Sequence, residues 1–255
     1  MKKTILFTFI YFGFLICSCS SQDIVQAEEL EVITNNDPED NSDTTSPITT
    51  LPNKNFKILS LGDSYTIGES VCDTCRFPVQ LKDSLALKID GSTFDLNIIA
   101  RTGWTTTNLI NAINNENPAN DYDLVTLLIG VNNQYQKKPF SLYTSEFPQL
   151  LNTAIALAKG DKTNVIVISI PDYAYTPFGQ SSSDPAKISE ELNTYNDFAK
   201  SYSNQNEVSF IYITDITRQG LNNPELVASD GLHPSKLAYS KFVELLRPVA
   251  MEKLE

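Results

Sequence analysis

Phe56-Lys57-Ile58-Leu59-Ser60-Leu61-Gly62-Asp63-Ser64-Tyr65-Thr66 is the stretch that decides how this chain folds. Its first six residues are short, apolar and rich in Ile and Leu, and they break at Gly62 into small polar residues. A run without polar alternation reads as a strand covered on both faces, as in a parallel sheet. It carries Ser64 to the strand's end, inside a glycine-punctuated turn.

Four further runs share that character: Phe94–Ala100, Leu124–Ile129, Val165–Ile170 and Val208–Ile213. Between and after them, Pro78–Ile89, Thr105–Asn115, Leu142–Lys159, Pro185–Ser203 and Ser235–Lys253 show the spacing of amphipathic helices. Strands alternating with helices imply right-handed crossovers. The expected fold is a single α/β domain, a three-layer α/β/α sandwich on a five-stranded parallel sheet of flavodoxin-like type. Ligands of such sheets bind outside the C-terminal strand ends. Residues following the strands are therefore the candidates for chemistry: Ser64, then Arg101 to Trp104, Gly130 to Asn133, and Pro171 to Tyr173.

The only histidine, His233, lies near the other end of the chain in Ser229-Asp230-Gly231-Leu232-His233-Pro234. One imidazole, held by a carboxylate and aimed at a serine, is sufficient for a serine hydrolase. A single histidine offers little to a catalytic zinc, so no metal and no cofactor is expected. The nucleophile elbow of α/β-hydrolases needs a glycine where Thr66 stands, which disfavours that alternative.

The chain of 255 residues carries a net charge of −12. That balance argues against a nucleic-acid partner, which would need clustered Lys and Arg. Much of the charge sits between Ser20 and Asn53, which holds eight acids and no Lys or Arg. This Asp-, Asn-, Ser-, Thr- and Pro-rich stretch cannot bury enough surface to offset its ordering entropy, and it reads as a solvated tether. Before it, Lys2 and Lys3 precede an apolar run, Ile5 to Ile16, too short to span a bilayer comfortably. The run ends in Ile16-Cys17-Ser18-Cys19, which resembles a lipoprotein cleavage box with Cys19 as the lipidated residue. The expected organisation is a leader over 1–18, an acidic tether over 19–54 and a catalytic domain over 55–255. The mature protein would be exported and anchored by lipid to a bacterial membrane, facing the periplasm or the cell surface.

Taken in order, Gly62-Asp63-Ser64, Gly103, Gly130-x-Asn132 and Asp230-x-x-His233 resemble the four blocks of the SGNH, or GDSL-type, hydrolases. The resemblance runs from about Phe56 to the C-terminus. It implies a serine esterase working through an acyl-enzyme, with Ser64 as nucleophile, His233 as base and Asp230 orienting the ring. The implied oxyanion donors are the backbone N–H groups of Ser64 and Gly103 and the side-chain amide of Asn132. Glycine at 103 is expected to let the backbone approach closely. Two positions depart from the pattern. Tyr65 replaces a common Leu and should only pack. Asn133 replaces an Asp, which puts in question a hydrogen-bond network that a carboxylate would support.

Cys72 and Cys75 read as a local disulfide in an exported protein, stiffening a loop beside the site. Trp104 and Tyr173 are the candidate substrate contacts, with Tyr135 and Tyr175 as further rim aromatics. Arg101 reads as either an anion contact or an ordinary ion pair, and Asp172 as a turn cap. The expected substrates are short O-acyl esters of carbohydrates. The alternatives are lysophospholipids or other lipid esters, or a non-catalytic glycan-binding lipoprotein that keeps the fold.

Overall fold

The computed structural model describes residues 54–254, so the expected leader, Cys19 and the expected acidic tether up to residue 53 lie outside the described residues. Five parallel strands form one sheet: β1 (Asn55–Gly62), β2 (Thr93–Ala100), β3 (Leu124–Leu128), β4 (Val165–Ile168) and β5 (Ser209–Ile211). Their order is β2-β1-β3-β4-β5. Among the described residues nine α-helices accompany them: α1 (Ser64–Ile67), α2 (Phe77–Ala86), α3 (Thr106–Glu116), α4 (Val131–Tyr135), α5 (Phe140–Leu157), α6 (Pro177–Gln180), α7 (Pro185–Gln205), α8 (Thr214–Thr217) and α9 (Lys236–Leu254). α2 and α9 pack together on one face, while α3, α5 and α7 form a row on the other. All five expected strands and all five expected long helices are present, in the expected three-layer α/β/α arrangement.

The strands are not equally covered. β3 and β4 are buried at every residue, because each has a strand on both sides and helices above and below. β2 is an edge strand whose first residues alternate between exposed and half-buried, and β5, the other edge, is half-buried throughout. The expectation of strands buried on both faces therefore fails at the two edges. Within Phe94–Ala100, Asp95 and Asn97 already show the polar alternation of a half-exposed strand.

β4 and β5 also stop before their apolar runs do. Beyond Ile168, Asn196 of α7 takes over the pairing, accepting from Ile170 N at 2.7 Å and donating to Ile170 O at 3.2 Å. Ser169 Oγ likewise accepts from Ile213 N at 2.8 Å, so the strand bonds beyond Ile211 are replaced by a side chain. Buried backbone groups must find partners, and here polar side chains supply them.

The chain reverses direction across the sheet after β1. From β1 it crosses to β2 on one side, then returns past β1 to β3. A crevice opens at such a switch point, at the carboxyl ends of the strands. Ser64 follows the last residue of β1 by two positions and is placed at that crevice.

Candidate active site

β1 delivers its end against β3 so closely that a Cβ at Gly62 would lie 2.5 Å from Leu128 O. Only glycine fits this approach. Asp63 then caps the short helix α1, its Oδ1 accepting from Tyr65 N at 3.0 Å. Ser64 is the first residue of that helix, where an N–H has no partner within the helix. Its side chain is 4% exposed and opens on a cavity of about 260 Å³. Tyr65, Gly103, Asn132, Tyr173, Phe178 and His233 line the same cavity.

His233 reaches that cavity from a tight turn before α9. Asp230 organises this turn with both carboxylate oxygens. Oδ1 accepts from Leu232 N at 2.9 Å and His233 N at 3.0 Å. Oδ2 lies 2.6 Å from His233 Nδ1, which leaves Nε2 as the nitrogen without that partner. The ring packs against Tyr65, centroid to centroid at 5.3 Å, and is 7% exposed. Tyr65 thus packs, as expected, and the surface it covers is the imidazole ring itself. No hydrogen bond joins Ser64 Oγ to the ring among the described residues.

A fourth donor to Asp230 had no signal in the sequence. Ser70 Oγ donates to Oδ2 at 2.6 Å across 160 residues of chain. Ser70 adopts a left-handed backbone, φ 64°, in the loop that leaves α1. Cys72 and Cys75 are joined by a disulfide in the same loop. Neighbouring Glu69 accepts from the Thr102 hydroxyl, one residue before Gly103. One stapled loop therefore touches both the carboxylate behind the imidazole and the turn that carries Gly103. Burial works against ionisation of Asp230. Hydrogen bonds from Ser70, the His233 ring and two backbone N–H groups prevail and hold its carboxyl well below the usual range.

Gly103 has φ 84°, and a Cβ there would meet nothing within 4 Å. Among the protein's own atoms nothing crowds this position, and its positive φ is what favours glycine here. Asn132 Nδ2 is buried and has no hydrogen-bond partner. It stands near enough to Asp63 to lower that carboxyl's pKa, without reaching hydrogen-bond geometry. An unsatisfied buried donor is expensive and calls for an explanation.

Asn133 preserves a network rather than losing it. Its Oδ1 accepts from Thr106 N at 2.9 Å and its Nδ2 donates to Thr106 Oγ1 at 2.7 Å. Thr106 Oγ1 in turn donates to Glu146. The carboxylate absent from 133 is found one hydrogen bond further out, and the amide supplies a donor that an ionised Asp could not.

The aromatic expectations divide. Tyr173 lines the cavity, its hydroxyl donating to Gln134 Oε1 at 2.8 Å. Trp104 does not; it is half-buried against the hydrophobic core, which corrects its assignment as a substrate contact. Tyr135 is 53% exposed and lines the rim, whereas Tyr175 is 37% exposed and does not. Phe178 and Leu232 complete the apolar wall, and neither was singled out in the sequence. Arg101 is exposed. Asp172 does cap a turn, accepting from Ala174 N at 3.1 Å, but it is also fully buried and paired with Arg218 at 3.0 Å.

A family model described as the GDSL-like lipase/acylhydrolase family matches residues 60–241. Among solved structures, a lipase from a goat rumen metagenome superposes with a TM-score of 0.61 at 18% identity, covering 78% of this chain and 100% of its own. A lipase/acylhydrolase from Enterococcus faecalis gives 0.57 at 21% identity, with coverage of 78% and 97%. An acetyl xylan esterase from Geobacillus stearothermophilus gives 0.57 at 14% identity, with coverage of 78% and 96%. At these identities the structural likeness carries the fold alone. No curated protein sequence matches the chain.

Proposed function

The chain belongs to the GDSL-like lipase/acylhydrolase family, whose members cleave ester bonds, and we propose that it is a serine esterase with Ser64, His233 and Asp230 as its working groups. The observation that carries this reading is the 2.6 Å contact between Asp230 Oδ2 and His233 Nδ1 at the cavity onto which Ser64 opens. That contact holds the ring in the tautomer with Nε2 unprotonated.

In this mechanism Nε2 takes the Ser64 proton as Oγ bonds to the acyl carbon. The carbonyl oxygen becomes an oxyanion, received by the N–H groups of Ser64 and Gly103 and by the unpartnered Asn132 amide. Collapse breaks the bond to the alcohol, which leaves with the proton held on His233. Water then repeats the sequence on the acyl-enzyme and releases the acid. Asp230 stabilises the imidazolium at both steps and keeps its own charge.

We assign short acyl groups on carbohydrates as the substrate class. The cavity of about 260 Å³ suits a small acyl group, and its wall of Tyr135, Tyr173 and Phe178 offers aromatic faces to the alcohol side. Surface anchoring through Cys19 would bring the domain to extracellular polymer; replacing Cys19 with Ser should move the protein from the membrane to the soluble fraction.

The test is hydrolysis of p-nitrophenyl esters of increasing chain length, with Ser64→Ala alongside. We expect activity confined to the shortest acyl groups and reduced about 10⁴-fold or more in the variant. Undiminished activity of Ser64→Ala would remove the nucleophile assignment. A preference for long chains would turn the reading toward lipid esters.

A further inference from the structure

Beside the Ser64 cavity lies a second and larger one, of about 830 Å³. It is bounded by the end of α4, the segment from Tyr173 through α6, and the start of α7. Tyr135, Tyr173 and Phe178 line both cavities. Their ring centroids lie 6.0 to 6.3 Å apart, so three mutually packed aromatics form the partition. Tyr135 and Phe178 are 53% and 38% exposed, so their rings present apolar faces at this partition. The space far exceeds the needs of a short acyl group and falls within the size range of ligand pockets.

The charges of this cavity are unevenly engaged. Asp184 caps α7 by accepting from Lys187 N at 3.1 Å. Glu191 accepts from Gln134 Nε2 at 2.7 Å and faces Lys187 Nζ at 3.8 Å. Glu191 is thus paired, while Asp184 serves the helix cap. Lys137 and Lys138 also line the cavity, and neither has an ion-pair partner among the described residues. Lys137 closes α4 with φ 55°, a position usually given to glycine or asparagine. Other described lysines, Lys88 and Lys200 among them, also lack an ion pair, but Lys137 and Lys138 are the two such lysines that line this cavity.

We propose that the second cavity seats the alcohol portion of the ester, and that this portion is an acidic glycan whose sugar carboxylates meet Lys137 and Lys138. The aromatic partition then separates two halves of one substrate. The acyl group enters toward Ser64, and the sugar ring stacks on the opposite side of Tyr135 and Phe178. This assignment rests on the esterase reading and extends it to the leaving group.

The test compares acetate release from partially O-acetylated oligogalacturonides, O-acetylated xylo-oligosaccharides and p-nitrophenyl acetate. Each kcat/KM for an oligosaccharide is divided by that for p-nitrophenyl acetate, so that changes in the Ser64 machinery cancel. We expect the uronide to be favoured about tenfold over the neutral glycan. The double substitution Lys137→Glu and Lys138→Glu should remove that preference. Ser182→Trp, which places bulk in the cavity wall, should lower both oligosaccharide ratios about tenfold or more. Equal use of both glycans by the unmodified protein would overturn the acidic assignment. Unchanged ratios in Ser182→Trp would overturn the subsite. If p-nitrophenyl acetate itself is not cleaved, the esterase reading fails first. Calorimetric binding of the oligogalacturonide to the Ser64→Ala chain then decides the subsite separately: binding weakened by the lysine substitutions supports it, and no binding overturns it.

Discussion

Two aspartates stand beside the same cavity and meet opposite fates. Asp63, at the end of β1, is fully buried, and burial pushes its carboxyl up to about 7 even though Tyr65 N–H and the Asn132 amide draw it down. Asp230, in the turn before α9, keeps a side chain 28% exposed and receives four hydrogen-bond donors. It is held well below the ordinary carboxylate range. The contrast shows what a charge-stabilising carboxylate needs. Burial favours the neutral acid, and only directed donors keep a negative charge in place. The carboxylate behind the imidazole is accordingly the wetter one, while the drier one shapes the turn that presents Ser64.

The sharpest way to break this comparison is to neutralise both positions in turn. Asp230→Asn removes the charge that stabilises the imidazolium and the acceptor that sets the ring tautomer. We expect kcat on p-nitrophenyl acetate to fall about 10⁴-fold, with the fold retained by far-ultraviolet circular dichroism. If Asp63→Asn lowers kcat as much, the two carboxylates are not functionally distinct and the comparison fails.

Asp63 should instead declare itself in stability against pH. Its folded pKa of about 7 lies above the ordinary aspartate value of 3.8, so the folded state binds this proton more tightly than the unfolded chain does. The favourable contribution is complete below about pH 4 and is lost as pH rises through about 7. Three units of difference correspond to roughly 4 kcal/mol. Asp63→Asn, which cannot ionise, should not show this loss. Urea unfolding of both proteins between pH 4 and 8 measures the divergence, since contributions shared by the two, Asp230 among them, cancel. Parallel curves would mean that Asp63 is not a buried acid near neutrality.

The same two regions show how far the sequence could be read. Ser64, Asp230 and His233 were legible because each lies in a short block whose chemistry is local: a serine after a buried strand, and an acid three residues before a lone histidine. The central strands were legible because burial on both faces leaves an unbroken apolar run. The edge character of β2 followed less directly, since strand order depends on pairing across the chain. Trp104 misled because an aromatic after a strand can turn toward the core as readily as toward the cleft. Phe178 and Ser70 left no local signal. Their positions are set by where the segment before α7 and the loop after α1 return in space, which no residue pattern within either segment encodes.

Ser70 offers the smallest and most discriminating test. Its hydroxyl fixes Asp230 Oδ2 from a loop closed by the Cys72–Cys75 disulfide, and its backbone sits at φ 64°, which costs an L-residue about 1–2 kcal/mol. Ser70→Gly relieves the backbone and deletes the hydroxyl. If the serine served only the loop's shape, the variant should be as active as the parent and somewhat more stable. If it positions the acid, stability and activity must separate. We expect unfolding free energy to change by no more than about 1 kcal/mol, since backbone relief is offset by glycine's entropy in the unfolded chain and by the lost hydrogen bond, while kcat falls about fivefold. Loss of this donor should also let the Asp230 carboxyl rise toward the ordinary range, a shift that NMR titration of the carboxyl reads and that a change in loop shape alone does not produce.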